Sequence, residues 1–438
     1  MATLVWLRND LRLADNPALA AAASRGPVVP VFIWAPEEEG EWPPGSASRW
    51  WLDGSLRALD ASLREQGSRL VVRRGPSLAA LEQLIAETSA DAVFWNRRYE
   101  AHAIERDRAV KEAMPTARSF AAAVLHEPWT VRTRAGAPYQ VFTPFWRALR
   151  ALGEPDRPLP APRLDPPGRW PEPVAVDVLD LLPRAAWAGG LAETWSPGEA
   201  GAAARLDEFA DRAAGYADTR DRPALPTSQL SPHLHFGEVS PRRVWHAVRD
   251  AAGTAGEPYL RQLGWREFAH HLLFHFPHTA WAPLRPVYER MPWRDDPPGL
   301  EAWRRGRTGY ALVDAGMRQL WETGWMHNRV RMVTASFLTK DLLIDWRAGA
   351  RWFWDTLVDA DLANNTLGWQ WVAGSGADAA PYHRVFNPDS QAARFDADGR
   401  YRERWLGDEE RPAPMVDHRS ARLRALAAHA SATASRGR

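Results

Sequence analysis

The sequence predicts an α/β N-terminal domain, built on a doubly wound five-stranded parallel sheet, followed by an all-α C-terminal domain. Three observations predict this division. The 438 residues are more than one hydrophobic core usually serves. Short apolar runs alternate with helical patterns up to about residue 125, and the pattern after Trp195 is almost wholly helical. Strands that alternate with helices form parallel sheets covered on both faces.

Five short apolar runs near the N-terminus have the length and composition of buried strands. They are Thr3–Leu7, Val28–Trp34, Leu70–Arg73, Ala92–Trp95 and Ser119–Leu125. Between them, Ala47–Glu65 and Ser77–Glu87 show helical spacing. Ligands of such sheets usually lie beyond the carboxyl ends of the strands, and no GxGxxG motif follows the first strand. A dinucleotide site of the Rossmann type is therefore not expected there.

The predicted domain boundaries are residues 1–130, a linker at 131–195, and 196–438. Residues 150–185 contain many prolines, as in EPDRPLPAPRLDPP, and too little periodicity for regular elements. From about Gly407 the chain is polar and alanine-rich, which predicts a terminal helix with a frayed end.

Composition excludes several classes of function. The chain has no cysteine, which excludes disulfides, thiolate metal sites and cysteine nucleophiles. It has no apolar run long enough to span a membrane and no signal peptide, so we expect a cytoplasmic protein without a membrane partner. Because the net charge is only +1, nucleic acid could be bound only by a local basic patch. No feature indicates an oligomer, and a monomer is expected.

The 24 tryptophans are the outlier in the composition. Tryptophan buries a large area, so core packing accounts for many of them. Closely spaced aromatic rings are also what a one-electron pathway requires.

Several polar groups are candidates for a binding site. Thr227 and Ser228 precede a predicted helix, where their hydroxyls could either bind a phosphate or simply form the N-cap of the helix. Asp359 and Asp361 could be a general acid/base pair, a metal site, or acceptors for ribose hydroxyls and a flavin ring edge. No acidic partner recurs at ligand spacing from the histidines, so no metal is predicted. Arg329 and Arg331 flank polar and aromatic residues, which suits phosphate contact beside stacked rings.

Several ordered motifs resemble one family. GWMHNRVRM, DLLIDW, DADLANN, GWQW and APYHRVFNP resemble the C-terminal half of DNA photolyases and cryptochromes. TSQLSPHLHFG and WREF match the same half further upstream, and PEEEG…ASRWW resembles the subgroup of plant cryptochromes and class III bacterial photolyases. The resemblance covers roughly residues 3 to 425. It implies a helical FAD-binding domain and a light-driven carbon–carbon lyase that repairs cyclobutane pyrimidine dimers in DNA.

The resemblance also implies which residues hold FAD, which binds in this family folded into a U. The phosphates would be held by Tyr216, Thr227, Ser228, Leu230 and Ser231, with Arg266 and Asn328 nearby. The ribose and the isoalloxazine edge would be bound by Asp359 and Asp361. Asn365 would face flavin N5, and because an amide cannot donate a proton there, reduced FADH⁻ would remain the electron donor. Plant cryptochromes carry an acid at this position, so Asn365 favours repair over signalling.

Two sets of aromatic residues have roles by the same resemblance. Trp369, Trp346 and Trp293 align with the chain of three tryptophans that carries electrons from the surface to the flavin, a role compatible with core packing. The lesion pocket would be lined by Trp265, Trp371, Met332 and Asn328. Aromatic rings replace the stacking that a flipped dimer has lost. The (6-4) photolyases place a histidine where this chain has Met332.

One residue departs from the family's pattern. Cyclobutane-dimer photolyases usually carry a glutamate where this chain has Gln262, which can donate a hydrogen bond to the lesion but no proton. Some (6-4) photolyases have glutamine there. A (6-4) photolyase and a bacterial cryptochrome that acts as a blue-light receptor therefore stay open as alternatives, although the short tail favours the enzyme over a plant-type receptor.

The resemblance also implies which residues contact DNA and that a second chromophore is bound. Phosphate contacts would come from Arg220, Arg329, Arg331 and Arg384. An antenna, methenyltetrahydrofolate, would bind in the N-terminal domain, with Glu38 accepting hydrogen bonds from its pterin. The alternative for Glu38 is a solvated acidic loop.

Overall fold

The N-terminal half contains the predicted parallel sheet. The computed structural model describes residues 1–182, 186–379, 381–382, 384–408 and 410–434. The strands are β1 Thr3–Leu7, β2 Val28–Trp34, β3 Val71–Arg74, β4 Ala92–Asn96 and β5 Arg118–Phe120. All pairs are parallel, in the order β3-β2-β1-β4-β5. The five-stranded parallel sheet is confirmed.

Both faces of this sheet are buried. Val5 and Leu7 belong to one apolar core, whereas Leu4 and Trp6 belong to another, because successive side chains of a strand point to opposite faces. Helices flank the strands in sequence: α1 Pro17–Ala23, α2 Ser46–Glu65, α3 Ser77–Thr88 and α4 Ala101–Ala113. The two helical segments predicted from spacing match α2 and α3 to within one residue at each end.

The fifth strand is shorter than the predicted Ser119–Leu125. It ends at Phe120, and the backbone N–H groups of Leu125 and His126 instead donate to the Glu267 carboxylate at 2.9 and 3.3 Å. The apolar run after Phe120 leaves the sheet because the helical half binds its backbone.

The segment predicted as a linker contains two helices, α5 Phe142–Ala151 and α6 Gly189–Thr194. From residue 152 to 182 the chain forms neither an α-helix nor a strand, in agreement with its many prolines. Pro183, Arg184 and Ala185 lie outside the described residues. The boundaries at residues 130 and 195 stay predictions.

The C-terminal half is helical, as predicted. Its α-helices are α7 Glu199–Ala210, α8 Tyr216–Thr219, α9 Ser231–His235, α10 Pro241–Ala252, α11 Glu257–His275, α12 Pro297–Arg304, α13 Ala311–Thr323, α14 Asn328–Ser336, α15 Trp346–Thr356, α16 Leu362–Ala373, α17 Pro388–Phe395, α18 Arg400–Leu406 and α19 His418–Thr433. A π-helical turn, Phe337–Asp341, continues α14. Helix α19 is the predicted terminal helix, and the predicted frayed end at 435–438 lies outside the described residues. None of the helices described is long and apolar enough to cross a membrane.

A glycine sets the distance between α15 and α16 in the main helical core. A Cβ on Gly349 would lie 2.1 Å from the ring of Trp369, closer than atoms can approach. Glycine at this position therefore lets the Trp369 ring lie directly on the α15 backbone. Trp369 and Trp346 are each only 2% exposed, and both belong to this core.

A fully buried carboxylate joins the two halves. Glu238 accepts hydrogen bonds from the Trp51 indole on α2 at 2.9 Å and from the Gly198 backbone at 2.7 Å. The Ser55 hydroxyl and His233 also contact it. Buried carboxylates are tolerated when their acceptor sites are filled in this way, so the network fixes the sheet against the helices.

Candidate functional site

The N-terminus of α16 carries the two predicted carboxylates. Asp361 caps the helix, because one carboxylate oxygen accepts from the Asn364 backbone N–H at 2.8 Å. Its other oxygen lies 3.7 Å from His270 Nε2 and 3.8 Å from His235 Nδ1. Burial raises the pKa of Asp361, but electrostatic interactions with His270 and His235 outweigh it and leave the pKa well below its ordinary value. The carboxylate is therefore ionised near neutral pH.

Asp359 forms an ion pair that sequence analysis missed. Its oxygens accept from the Arg331 guanidinium at 2.8 and 3.1 Å and from the Ser231 hydroxyl at 2.6 Å. The Trp325 indole N–H lies 3.3 Å from the same hydroxyl. Ser231 and Asp359, both predicted to bind FAD, are thus brought together. The prediction that Arg331 contacts DNA is not supported by this geometry, because its charge already neutralises a carboxylate that is 9% exposed.

The loop before α9 contains the other residues predicted at the phosphates. The Ser228 hydroxyl accepts from Tyr259 at 3.0 Å, and the Tyr216 ring packs edge-on against Tyr259 with centroids 5.1 Å apart. Thr227 is half-buried and Leu230 is fully buried. The packing of the two tyrosine rings therefore fixes the position of the hydroxyl groups in this loop.

Arg266 has a structural role beside this loop. Its guanidinium donates to the carbonyl of Ala123 at 2.6 Å and lies 3.4 Å from the carbonyl of Leu234. The same helix, α11, carries the buried Glu267, whose pKa is raised to about 7 because burial disfavours its charge. These contacts join α11 to the segment that leaves the sheet.

One face of α16 gathers three of the predicted residues. Asp361, Asn365 and Trp369 follow one another four residues apart and therefore lie above each other on the helix. The Asn365 side-chain N–H₂ donates to the Ala350 carbonyl at 3.1 Å. This bond fixes the amide and leaves its oxygen and its second N–H available to a ligand.

The three predicted chain tryptophans share one core. Trp369 and Trp346 are buried in it, and the half-buried Trp293 packs against it. Two rings that sequence analysis missed lie beside Trp369: Phe353 at 5.0 Å and Trp303 at 6.2 Å between centroids. Neither carries a sequence signal that separates it from ordinary core residues.

The predicted lesion pocket has a supporting ring that was also missed. Trp265 is stacked on Phe142 of α5, with centroids 3.7 Å apart and planes 8° apart. The backbone N–H of Phe142 lies 3.4 Å from the Asp378 carboxylate. The Gln262 amide donates to the Pro258 carbonyl of its own helix at 3.1 Å, which leaves its oxygen and its second N–H available. The aromatic run VFTPFW at 141–146 was the available signal, but we assigned it to a linker.

The remaining pocket residues lie on two helices. Trp371 and Met332 are half-buried against the helical core, and Asn328 is exposed one turn before Met332 on α14, with its amide nitrogen 3.9 Å from the Met332 sulfur. The described residues contain no group of three or more His, Asp or Glu side chains arranged to hold a metal.

The predicted DNA-contact arginines differ in their surroundings. Arg220 is partly exposed beside the Tyr216 ring, and Arg384 is exposed. Arg329 pairs with Asp221 at 2.8 Å, a carboxylate that is itself exposed and can be exchanged for a phosphate. Arg220, Arg384 and Arg329 thus stay candidates for DNA contact, whereas Arg331 belongs to the carboxylate site.

A cavity between the sheet and the helical half lies near Asp361. It is lined by Trp6, Phe32, Trp34, Glu39, Arg98 and Arg106 from the sheet side and by His235, Phe236 and Ala360 from the helical side. Arg98 and Arg106 bind Glu39 at 2.7 and 2.9 Å. Burial raises the pKa of Glu39, but Arg98 outweighs it, so the pKa lies well below its ordinary value. The Nε and one terminal nitrogen of Arg106 have no protein partner among the described residues.

Glu38, predicted to bind the pterin of an antenna, is not among the residues that line this cavity, and its role stays a prediction. Its carboxylate instead accepts from the Ser77 backbone N–H at 2.9 Å and from the Ser77 hydroxyl, at the start of α3. Residues 36–38 form a 3₁₀ turn, in which successive side chains point about 120° apart. Glu39, one residue later, is therefore the carboxylate that lines the cavity.

The chain thus combines a doubly wound sheet with a helical half that has a carboxylate and hydroxyl site and a tryptophan-rich core. Comparison with known families agrees. The model described as "DNA photolyase" matches residues 3–163, and that described as "FAD binding domain of DNA photolyase" matches residues 259–411. The chain belongs to the DNA photolyase and cryptochrome family, which confirms the resemblance found in the motifs.

Individual relatives span nearly the whole chain. The deoxyribodipyrimidine photo-lyase of Agrobacterium fabrum is 47% identical over 98% of this chain and 97% of that protein. Cryptochrome-1 of Arabidopsis thaliana is 40% identical over 95% of this chain and 64% of that protein. Among solved structures, the class III photolyase of Agrobacterium tumefaciens has a TM-score of 0.94 and 46% identity, covering 98% and 97% of the two chains. The photolyase of Sulfolobus tokodaii, solved with two FAD molecules, has a TM-score of 0.86 and 29% identity, covering 98% and 100%.

Proposed function

We propose that this protein is a deoxyribodipyrimidine photolyase, a light-driven lyase that repairs cyclobutane pyrimidine dimers in DNA with reduced FAD, FADH⁻. The observation that carries the proposal is the face of α16 on which Asp361, Asn365 and Trp369 lie in line. This face offers an ionised acceptor, a neutral amide and an oxidisable ring to one cofactor. The name of the Agrobacterium fabrum relative supports the choice of lesion.

The chain's own residues fit FAD. Ser231 and Asp359 with Arg331, and Asp361 with the histidines, supply paired charges and acceptors for hydroxyls and a flavin edge. The hydroxyls of Thr227 and Ser228, beside Tyr216 and Leu230, would hold the phosphates. Arg266 would act by fixing α9 and α11, and exposed Asn328 by contacting the cofactor or the lesion.

The residues named above would hold reduced FAD, which when illuminated would supply the electron that opens the two cyclobutane bonds of the dimer and would take it back afterwards. Asn365 presents an amide oxygen, which accepts a hydrogen bond and donates no proton, so the reduced anion is preserved. Because no net redox change occurs, no consumed cosubstrate is needed. Positioning and the exclusion of water are the chain's contributions to the rate.

Trp265 and Trp371 would bind the extruded dimer between aromatic surfaces, with Met332 at its edge. Gln262 can turn its amide from Pro258 toward the lesion, at the cost of one hydrogen bond to its own helix. Trp293, Trp346 and Trp369 would carry electrons inward to restore the reduced flavin.

Damaged DNA would be held by Arg220, Arg384 and Arg329 at the rim. Phosphate contacts make binding salt-dependent and largely independent of sequence. A cytoplasmic monomer remains our proposal for location and state.

An antenna chromophore would occupy the cavity that Glu39 lines. Its aromatic walls, Trp6, Phe32 and Trp34, suit a flat ring system, and Arg106, which Glu39 holds in place, offers two donors without a partner among the described residues to methenyltetrahydrofolate. The Sulfolobus tokodaii photolyase, solved with a second FAD, supports the general idea of a second chromophore.

A blue-light receptor is the second candidate, because plant cryptochromes are among the relatives. The deciding experiment illuminates the reduced protein with a dimer-containing oligonucleotide and measures restored thymine absorbance, with an undamaged oligonucleotide and a dark sample as controls. Repair that requires light and reduced flavin is expected. Stable flavin binding without any repair would refute the enzyme and favour the receptor, and repair of (6-4) lesions alone would reassign the substrate.

A further inference from the structure

A second cluster of buried residues, separate from the main helical core, also packs against Trp293. Its buried members are Met291, Leu343, Tyr382 and the alanines Ala425, Ala428 and Ala432 of α19. Tyr288 and Trp293 both pack against this cluster, and Trp293 packs against the main helical core as well. Trp293 therefore connects the core of Trp346 and Trp369 to a region that contains two tyrosines.

A histidine from α19 lies between these tyrosines. The Tyr288 hydroxyl is 3.4 Å from His429 Nε2, and the His429 ring is stacked on Tyr382 with centroids 4.2 Å apart and planes 19° apart. The stacking fixes the orientation of the imidazole, so Nε2 is directed at one hydroxyl. Burial, together with the nearby Lys340, lowers the pKa of His429 below its ordinary value of 6.5. The ring is therefore a neutral base at pH 7.

We propose that Tyr288 is the final electron donor of the tryptophan chain and that His429 is the base that accepts its proton. The inference rests on the proposed function, because the oxidant is the Trp293 cation radical left when an electron has moved inward to the light-excited flavin. One electron passes from Tyr288 to that radical and restores neutral Trp293. The phenolic proton passes to His429 Nε2, which leaves a neutral tyrosyl radical and an imidazolium.

The two tyrosines differ in the one feature this step requires. Tyrosine is hard to oxidise unless its proton leaves with the electron, since a phenol radical cation is a very strong acid. Tyr288 has a base at its hydroxyl. Tyr382 is 5% exposed, its hydroxyl has no partner among the described residues, and burial raises its pKa. Tyr382 is therefore a matched control in the same cluster.

The base also makes the step dependent on pH. The groups that face His429 are Tyr288 from the 3₁₀ turn Pro286–Arg290, Tyr382, and Lys340 from the π-helical turn. Lys340 donates to the Arg384 carbonyl, and burial lowers its pKa to about 8. As the pH falls below the pKa of His429, protonation removes the acceptor. We expect the transfer to slow on the acid side.

The test uses the whole protein with oxidised FAD and no DNA. A laser flash generates the tryptophan radical, whose decay is followed by transient absorption, and the product is identified by electron paramagnetic resonance of samples frozen under light. In the unaltered protein a tyrosyl radical should replace the tryptophan radical, more slowly in D₂O. Tyr288→Phe should abolish the tyrosyl signal, and His429→Gln should slow its formation by about 10²-fold, the lower end of the usual effect of a positioned base. Tyr382→Phe should change neither.

Three results would overturn the inference, and they differ in what else they refute. A tryptophan radical that forms normally but decays alike in Tyr288→Phe and the unaltered protein refutes the tyrosine step alone and leaves the proposed function intact. A tyrosyl signal lost in Tyr382→Phe instead would also refute it. If no tryptophan radical forms, and Trp293→Phe does not alter flavin photoreduction, the tryptophan chain fails together with the inference.

Discussion

Phe142 should control how strongly the protein prefers damaged DNA. Its ring is stacked on Trp265 at 3.7 Å and is 1% exposed, so it fixes one face of the tryptophan and leaves the other for the lesion. Phe142→Leu keeps most of the buried apolar volume but removes the aromatic stack. Such stacks contribute about 0.5–1.5 kcal/mol, which corresponds to a roughly 2- to 13-fold loss of affinity for dimer-containing DNA.

The assay is fluorescence anisotropy with two oligonucleotides of the same sequence, one with a dimer and one without. The phosphate contacts are common to both, so only the ratio of the two affinities reports on the aromatic support. Phe145→Leu is the control, because Phe145 is equally buried on the same helix but contacts Phe268 and His271. An unchanged ratio in Phe142→Leu, or an equal fall in Phe145→Leu, would refute the reasoning.

Three further predictions concern single carboxyl or amide groups. Burial raises the pKa of Glu267 from 4.5 to about 7 in the folded protein. The charged carboxylate is therefore disfavoured only in the folded state, so the free energy of unfolding should fall as the pH rises from 4.5 through 7. Glu267→Gln should therefore become more stable relative to the unaltered protein by about 2–3 kcal/mol between pH 5 and 8, as measured by urea unfolding; a difference independent of pH would contradict the assignment. Gln262→Glu should raise the quantum yield of dimer splitting, because a carboxyl group can supply the proton that an amide cannot, and an equal or lower yield counts against its place at the lesion. Glu39→Gln should abolish the near-UV absorbance that survives flavin bleaching, whereas Glu38→Gln should retain it. Loss of this absorbance in Glu38→Gln alone would instead support Glu38 as the residue that binds the pterin.

The sheet was predictable because its strands are continuous apolar runs, the pattern of strands buried on both faces. The prediction of the fifth strand was wrong at its C-terminal end. There the backbone N–H groups of Leu125 and His126 donate to Glu267, which is more than 140 residues away in the sequence. No local pattern contains that information.

The candidate site likewise has features that the sequence predicts and features that it does not. Asp361, Asn365 and Trp369 are four residues apart on one helix, so their common face follows from spacing alone. The ion pair of Arg331 with Asp359 joins α14 to the turn between α15 and α16. The motif GWMHNRVRM, in which Arg331 lies, does not indicate which carboxylate the arginine binds. Glu38 and Glu39 are chemically identical neighbours, and only the backbone turn decides which one lines the cavity.

The carboxylate of Glu238 has a consequence for the chain as a whole. Two of its donors, Trp51 and Ser55, lie on a helix of the sheet domain, and the others lie beyond the linker. A helical fragment without the sheet domain would lose the Trp51 and Ser55 donors to this carboxylate, and a sheet-domain fragment would lose the acceptor of the Trp51 indole. We therefore expect each half to be less stable alone than in the whole chain, even though each has an apolar core of its own.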